Sequence, residues 1–569
     1  MTTEDRDASG KSTPGVSRRT FLGATAATSA AFLTGGIGSL TSSPGSAAAF
    51  AAGDPPWVEA SISQLQAMMA SGALTSKELT RGYLKRIADL NPLLHAVIDT
   101  NPNAEATAAR LDAERRSGLR GPLHGIPILL KDNIATDDQM QTTAGSLALV
   151  GSTVPADSPL VAKLRAAGAV ILGKANLGEW ANFRGFFPFE EIDLNGWSAR
   201  GGVPHNPYVL DYTSAGSSSG PAIAAAANLC AAAVGSETDG SITVPANMSL
   251  IVGLKPTVGL ISQQGIIPIS HVQDTAGPMC RSVSDVAVML GVMRSPTGAV
   301  VGQPLPLNYT QFLHRGALNG ARIGVDHRFS DDYSYFGFPG DADTMPFFDN
   351  AVAVMQSLGA TIVPVDTGDV FAYTGDEFLS LLFEFKQDIA AYLATLSHTS
   401  MRTLADLIAF NVSHCSAEMT YFGQELFEIS ESMPDLTDPA YVAARANALL
   451  LAKSGIDNAI AANHLDVIVA PHVTNTTGPA VSGYPNLALP TGIRPNGRPA
   501  GMLMYSGFLQ EPKLIALGYD LEQALDVRRQ PRMLGTPNPV VDAGICASLP
   551  RKPHVFTGKA HLPHGRIFV

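Results

Sequence analysis

Polar and apolar positions alternate with two periods along this chain. Leu79, Tyr83, Ile87 and Leu90 recur every three or four residues, which predicts one apolar helix face. Thr75-Ser76-Lys77-Glu78 reads as a capping box opening that helix, and Asn91-Pro92 reads as its end. An earlier helix opens near Ser61, with Gln64 three residues on. Ile126–Leu130 is a short continuous apolar run, the mark of a buried strand. Ser158–Ala167 then reads as a helix and Ala169–Leu172 as the next strand. Strands alternating with helices predict an α/β protein whose sheet is covered on both faces.

The pattern changes along the chain. From Gly121 to about Met293 it is dense in Gly, Ser and apolar residues. Pro221–Ala233 is Ala-rich and reads as a helix, with Cys230 buried inside it. Ser282, with Asp285 three on, reads as a helix start. Asp274 and Arg281 read as a structural ion pair. Residues 300–440 mix aromatics and acids, as in Asp331-Asp332-Tyr333-Ser334-Tyr335-Phe336-Gly337-Phe338, and substrate-specific structure is expected there. A strand resumes at Val467, and Leu514–Leu525 reads as the last large helix.

Composition narrows the class. Of 569 residues, 45% are hydrophobic and 15% charged, which suits a globular chain with a large core. The net charge of −12 argues against a nucleic-acid surface, which is usually basic. No apolar stretch after the leader reads as a membrane span. Ser17-Arg18-Arg19-Thr20-Phe21-Leu22, the apolar Ala-rich stretch after it and Ser46-Ala47-Ala48-Ala49 read as a twin-arginine export signal with a small-residue cleavage site. Residues 1–51 are therefore expected to be removed, leaving a domain over 52–545 and an unassigned tail over 546–569. The expected location is periplasmic or extracellular. Cys230, Cys280, Cys415 and Cys546 are far apart and show no metal-ligand spacing. An export signal permits a disulfide, and the sequence leaves the pairing open.

Three segments carry candidate chemistry. Lys131 ends the apolar run Gly125-Ile126-Pro127-Ile128-Leu129-Leu130. Burial there would lower its pKa and favour the neutral amine, a base; a strand-end lysine reaching solvent is the plainer alternative. Ala215-Gly216-Ser217-Ser218-Ser219-Gly220 precedes Pro221, ordinary capping grammar for a helix. Ser219 would cap while Ser217 stays available. Glu237-Thr238-Asp239-Gly240-Ser241-Ile242 is a Gly-containing turn whose backbone N–H groups can converge on one oxygen.

Together these segments resemble the catalytic core of the amidase signature family, enzymes that cleave amide bonds with a Ser-Ser-Lys triad. Gly173-Lys174-Ala175-Asn176-Leu177-Gly178-Glu179-Trp180, Gly253-Leu254-Lys255-Pro256-Thr257-Val258-Gly259 and Gln273-Asp274-Thr275-Ala276-Gly277-Pro278-Met279 resemble stretches of its peptide-amidase-like members. The resemblance runs from roughly Ser61 to Pro539. It implies a single large domain with a central mixed, twisted β-sheet. It also implies Lys131 as base, Ser217 as relay on an unusual cis peptide bond, and Ser241 as nucleophile. The N–H groups of Thr238, Asp239, Gly240 and Ser241 become the oxyanion hole. Many relatives have Gly-Gly-Ser where this chain has Asp239-Gly240-Ser241, a mark of the subgroup. No metal or organic cofactor is expected. The implied partner is a small-molecule or peptide amide, with ammonia released from a carboxamide; the oligomeric state stays open. Residues 185–194, with Phe186, Phe187 and Phe189, form a longer segment than is usual, either a pocket wall or a surface insertion.

Rival readings remain. Gly216-Ser217-Ser218-Ser219-Gly220 fits the nucleophile elbow of α/β-hydrolases, with Ser218 attacking in an esterase-like enzyme. A non-catalytic binding protein on the same fold would have had reason to lose Lys131, Ser217 or Ser241. A subunit of a glutamine-dependent amidotransferase is disfavoured by the export signal.

Overall fold

Both predicted capping boxes form. The computed structural model describes residues 54–186, 194–326, 342–539, 542 and 544–548. The leader, Phe187, Phe189, Asp331–Phe338 and the tail beyond 548 lie outside the described residues. In helix α1 (Ile62–Ser71) the Ser61 hydroxyl accepts from Gln64 N–H while the Gln64 side chain reaches back. Thr75 and Glu78 do the same for α2 (Ser76–Leu94), which buries Leu79, Tyr83 and Ile87. This helix runs past Asn91-Pro92 and stops one turn later than the proline suggests. The Asn91 side chain clamps both the N–H and the C=O of Val97 at 2.8 Å. His95 turns the chain out in a left-handed conformation at φ 49°.

Eleven strands make one sheet. They are β1 (Val97–Thr100), β2 (Pro127–Lys131), β3 (Val170–Ala175), β4 (Ala232–Glu237), β5 (Val252–Lys255), β6 (Thr275–Cys280), β7 (Arg322–Asp326), β8 (Thr361–Val365), β9 (Val467–Pro471), β10 (Asn486–Ile493) and β11 (Pro499–Tyr505). Their spatial order is β1-β3-β2-β4-β6-β5-β10-β11-β9-β7-β8. β2 lies parallel to β3 and β4, and β7 is parallel to β8 and β9. The other pairings are antiparallel. Helices, among them α3 (Pro159–Ala166) and α6 (Val283–Met293), cover both faces, so β2, β3, β4 and β9 are buried along their whole length and are mostly apolar, Lys131, Lys174, Ser236 and Glu237 being the exceptions. The sequence-predicted α/β class and mixed sheet are both present.

The Ala-rich segment differs from its expectation. Helix α4 (Ser219–Ala226) stops early, Cys230 lies buried in the following turn, and Ala232–Glu237 is strand β4. An apolar run carries no period that tells a buried helix from a buried strand. The choice is tertiary: Ala232, Ala233 and Val234 pair with Ile128, Leu129 and Leu130 of β2. The N-cap of α4 is Ser218, which makes no side-chain capping bond, so the expected Ser219 cap does not form.

Asp274 and Arg281 do not pair. Arg281 donates to the carbonyls of Ala225, Cys230 and Ala60, tying the end of α4 to the chain before α1. Asp274 faces the other way, toward the turn after β4. Cys415 and Cys546 form a disulfide, while Cys230 and Cys280 are buried and free. The bond ties Cys546, the first residue of the unassigned tail, to residues of the 300–440 region.

Candidate active site

Parallel pairing places the ends of β2 and β4 side by side, and the site collects there. Lys131, the last residue of β2, is fully buried. Its Nζ donates to Ser217 Oγ at 2.7 Å, Ser236 Oγ at 3.0 Å and the Ser236 carbonyl at 3.0 Å. Burial lowers its pKa to about 7, against the attraction of Asp274 and Glu237. A solvent-reaching lysine is therefore not what the fold builds. Lys174 and Lys255 are also buried, and burial brings each to about 8. Lys174 donates to the Ile134 carbonyl and Thr142 Oγ1. Lys255 donates to the Pro256 carbonyl. Lys131 is the one of the three held on a serine of the loop before α4.

Ser217 and Ser241 meet, in a different way from a simple hydroxyl relay. The Ser217 N–H donates to Ser241 Oγ at 3.3 Å, and Ser218 N–H donates to the Ser241 carbonyl at 3.1 Å. The two hydroxyls are not hydrogen-bonded to each other. Peptide bonds among the described residues are all trans, so the cis bond implied for Ser217 is absent. Ser218 has a structural position. Its buried hydroxyl donates to the Ser236 carbonyl at 3.0 Å and accepts from Ser236 N–H at 3.2 Å, filling both of its roles on β4.

The turn after β4 is built by Glu237. Its Oε2 accepts from the N–H groups of Ile242 at 2.7 Å and Thr243 at 2.9 Å, and from Thr243 Oγ1 at 3.2 Å. These donors open helix α5 (Thr243–Met248), so the buried carboxylate both caps a helix and closes the loop back on its strand. Gly240 sits at φ 72°, where a side chain would be strained. The N–H groups of Asp239, Gly240 and Ser241 find no acceptor among the described residues. Asp239 is half-buried, while Gly240 and Ser241 are buried, and the turn borders a cavity. Thr238 is held from both sides: its hydroxyl donates to Asp274 at 2.5 Å, and its carbonyl accepts from Gln273 Nε2 at 3.1 Å. Asp239 Oδ2 accepts from Thr477 Oγ1 at 2.6 Å, and burial pushes its carboxyl up to about 6. We expect Glu237→Ala to cost about 1–3 kcal/mol of stability, read by denaturant unfolding, and to lower activity with it.

A cavity of about 240 Å³ borders this turn. Ser236 and Thr238 line one side, Ile266, Ile267 and Ile269 another, and Asp388 closes it from helix α7 (Phe371–Leu393). That helix belongs to the 300–440 region, where substrate-specific structure was expected. Of the longer segment at 185–194, Phe186 is described; its ring lies 6.4 Å from that of Phe378 on α7. Among the described residues no group of three His, Cys, Asp or Glu side chains is placed to hold a metal ion.

Sequence reasoning did not single out Ser236, the second hydroxyl on Lys131, or Asn133, whose Nδ2 donates to that hydroxyl at 2.9 Å. Glu237 and Gln273 lie inside motif stretches in which the sequence gives neither of them a role of its own. A glutamate directly before a Thr-Asp-Gly-Ser turn was the available signal for the cap.

Comparison with known proteins places the chain among hydrolases acting on amide bonds. It belongs to the amidase signature family: the amidase family model matches residues 78–482, well over half of the chain. A solved structure of native peptide amidase from Stenotrophomonas maltophilia is 45% identical, with a TM-score of 0.78, covering 84% of this chain and 100% of that one. A solved amidase family protein from Bacillus anthracis is 32% identical, with a TM-score of 0.76, covering 84% of this chain and 93% of that one. A probable amidase of Arabidopsis thaliana is 39% identical over 500 residues, 84% of this chain and 92% of the relative.

Proposed function

We propose that this amidase hydrolyses carboxamides, with C-terminally amidated peptides as the favoured class, through an acyl-enzyme on Ser241. The observation that carries the reading is Lys131: a fully buried amine, lowered to about 7, bonded at 2.7 Å to a serine that itself touches Ser241. Neutral Lys131 takes the Ser217 hydroxyl proton as Ser217 takes the proton of Ser241. Ser241 Oγ attacks the amide carbon. The N–H groups of Thr238, Asp239, Gly240 and Ser241 receive the oxygen as charge develops on it. The relay then returns a proton to the leaving nitrogen, ammonia departs, and water attacks the acyl-enzyme by the same path. For the relay the Ser217 and Ser241 hydroxyls must meet, a rotation of two small side chains; such bonds commonly tighten once substrate binds. Similarity to a peptide amidase and the cavity beside Thr238 support a peptide-like acyl group. Ammonia release from a panel of carboxamides, including amidated dipeptides, tests the class. Ser218→Ala is expected to keep turnover within about tenfold of wild type, because its hydroxyl serves β4. Loss of turnover in Ser218→Ala, with Ser241→Ala still active, would return the nucleophile to the elbow reading.

The same proposal places the enzyme outside the cytoplasm, exported by the twin-arginine route with residues 1–51 removed. The Cys415–Cys546 disulfide supports it, because such bonds persist in oxidising compartments. Among the described residues no helix is long and apolar enough to cross a membrane. Replacing Arg18 and Arg19 by lysine is expected to leave the protein unprocessed inside the cell, read by fractionation and N-terminal sequencing. Unchanged processing would remove the export assignment.

A further inference from the structure

The loop between Ser270 and Thr275 is wired to the turn at one end and to two long helices at the other. Gln273 is buried, and its Nε2 bridges the Thr238 carbonyl at 3.1 Å and Glu377 Oε1 at 2.5 Å. Its Oε1 accepts from Arg445 Nη1 at 3.0 Å. Arg445, on helix α8 (Pro439–Asn463), is fixed in turn by Glu384 of α7, at 2.8 Å from Nε and 2.7 Å from Nη2. Ser270 and Tyr441 also donate to Glu384. An arginine can only donate. Arg445 therefore settles which end of the Gln273 amide is oxygen, and leaves the NH2 end for Thr238.

A trans peptide is planar, and its C=O and N–H point in opposite directions. Gln273 holds the carbonyl of the peptide joining Thr238 to Asp239. It therefore also fixes the direction of the Asp239 N–H, one of the three donors without an acceptor. Thr238 cannot swing away by its side chain either, because Asp274 holds its hydroxyl.

We infer that Gln273, oriented by Arg445, is a positioning residue that aims the Asp239 N–H at the substrate oxygen. The inference rests on the Ser241 reading given above. It also gives the 300–440 region a task beyond lining the cavity. Glu377 and Glu384 on α7, with Arg445 on α8, carry the register of these helices to the oxyanion turn. A donor aimed in advance spends no reorganisation energy as charge develops. Its loss is felt in the transition state and little in the bound substrate.

The test uses the mature chain with Gln273→Met and Arg445→Met, an amidated dipeptide as substrate, the matching peptide aldehyde, and the product acid. The aldehyde adds to Ser241 and places an oxyanion in the turn; the acid does not. For Gln273→Met we expect kcat to fall about 10–100-fold with KM within about threefold. Aldehyde binding should weaken by the same factor as kcat/KM, and acid binding should hold. Arg445→Met should show the same pattern more weakly, and the double variant should lose no more than Gln273→Met alone, since the two act in series. A merely structural role would weaken aldehyde and acid alike and lower the unfolding temperature in step; that result, or an unchanged kcat, overturns the inference. Should Gln273→Met not fold, Arg445→Met carries the same readouts. Ser241→Ala is assayed alongside. If it stays active, the nucleophile assignment falls; if it is inactive while Gln273→Met keeps its kcat, only the positioning role falls.

Discussion

Ser241→Ala is expected to lower kcat for carboxamide hydrolysis by about 10⁴-fold or more, with the fold intact. The side chain is small and sits at the mouth of a turn that Glu237 closes without its help. Its hydroxyl accepts one contact, from Ser217 N–H at 3.3 Å. Removing it leaves the sheet, α5 and the Glu237 cap in place. The unfolding temperature should therefore stay within a few degrees while ammonia release stops. Ser217→Ala should also cost heavily, because Lys131 would lose the hydroxyl it is bonded to, the one the proposed relay uses.

Lys131→Met should lower kcat/KM by about 10²–10⁴-fold and erase a limb of the pH profile. The proposed mechanism uses the neutral amine, so wild-type kcat/KM is expected to rise with pH through about 7 and level off above it. Asp274 is also pushed up to about 7 by burial, so it could supply such a limb itself. Asp274→Asn decides the matter: the limb persists if Lys131 carries it and vanishes if Asp274 does. Stability moves with the same group. The folded pKa of Lys131 lies below its unfolded value of 10.5. Unfolding therefore takes up a proton between pH 7 and the ordinary lysine range, and the burial cost eases as pH rises through that window. Lys131→Met should be more stable than wild type at neutral pH, with a flatter dependence between about 7 and 10. Denaturant unfolding at several pH values reads this, and an unchanged slope would contradict the burial of a titrating amine.

Local grammar was legible in the chain. The capping boxes at Ser61 and Thr75, the strand ending at Lys131 and the helix opened by Ser282 follow from side chains interacting within a few residues. The family core was legible because its motifs are short and contiguous. Long-range choices were not. The Ala-rich run after Pro221 splits into α4 and β4 because β2 and β6 offer partners on either side, and no local period records that. Asp274 pairs with Thr238 and not Arg281 because β6 runs between them, with Asp274 just before its start and Arg281 just past its end. The Gln273–Arg445 contact joins residues 172 positions apart and was invisible for the same reason. Ser236 was missed although alternation along β4 explains it. The strand turns its hydroxyl toward Lys131 and Asn133, while the next residue, Glu237, turns to cap α5.

The most direct test of the central claim is covalent trapping. The enzyme would be quenched during turnover of a slowly deacylating ester or amide, and the acylated residue located by fragmentation mass spectrometry. The account predicts the acyl group on Ser241, with the adduct absent from Ser241→Ala. An acyl group on Ser218, or amide turnover by Ser241→Ala at the wild-type rate, would contradict it.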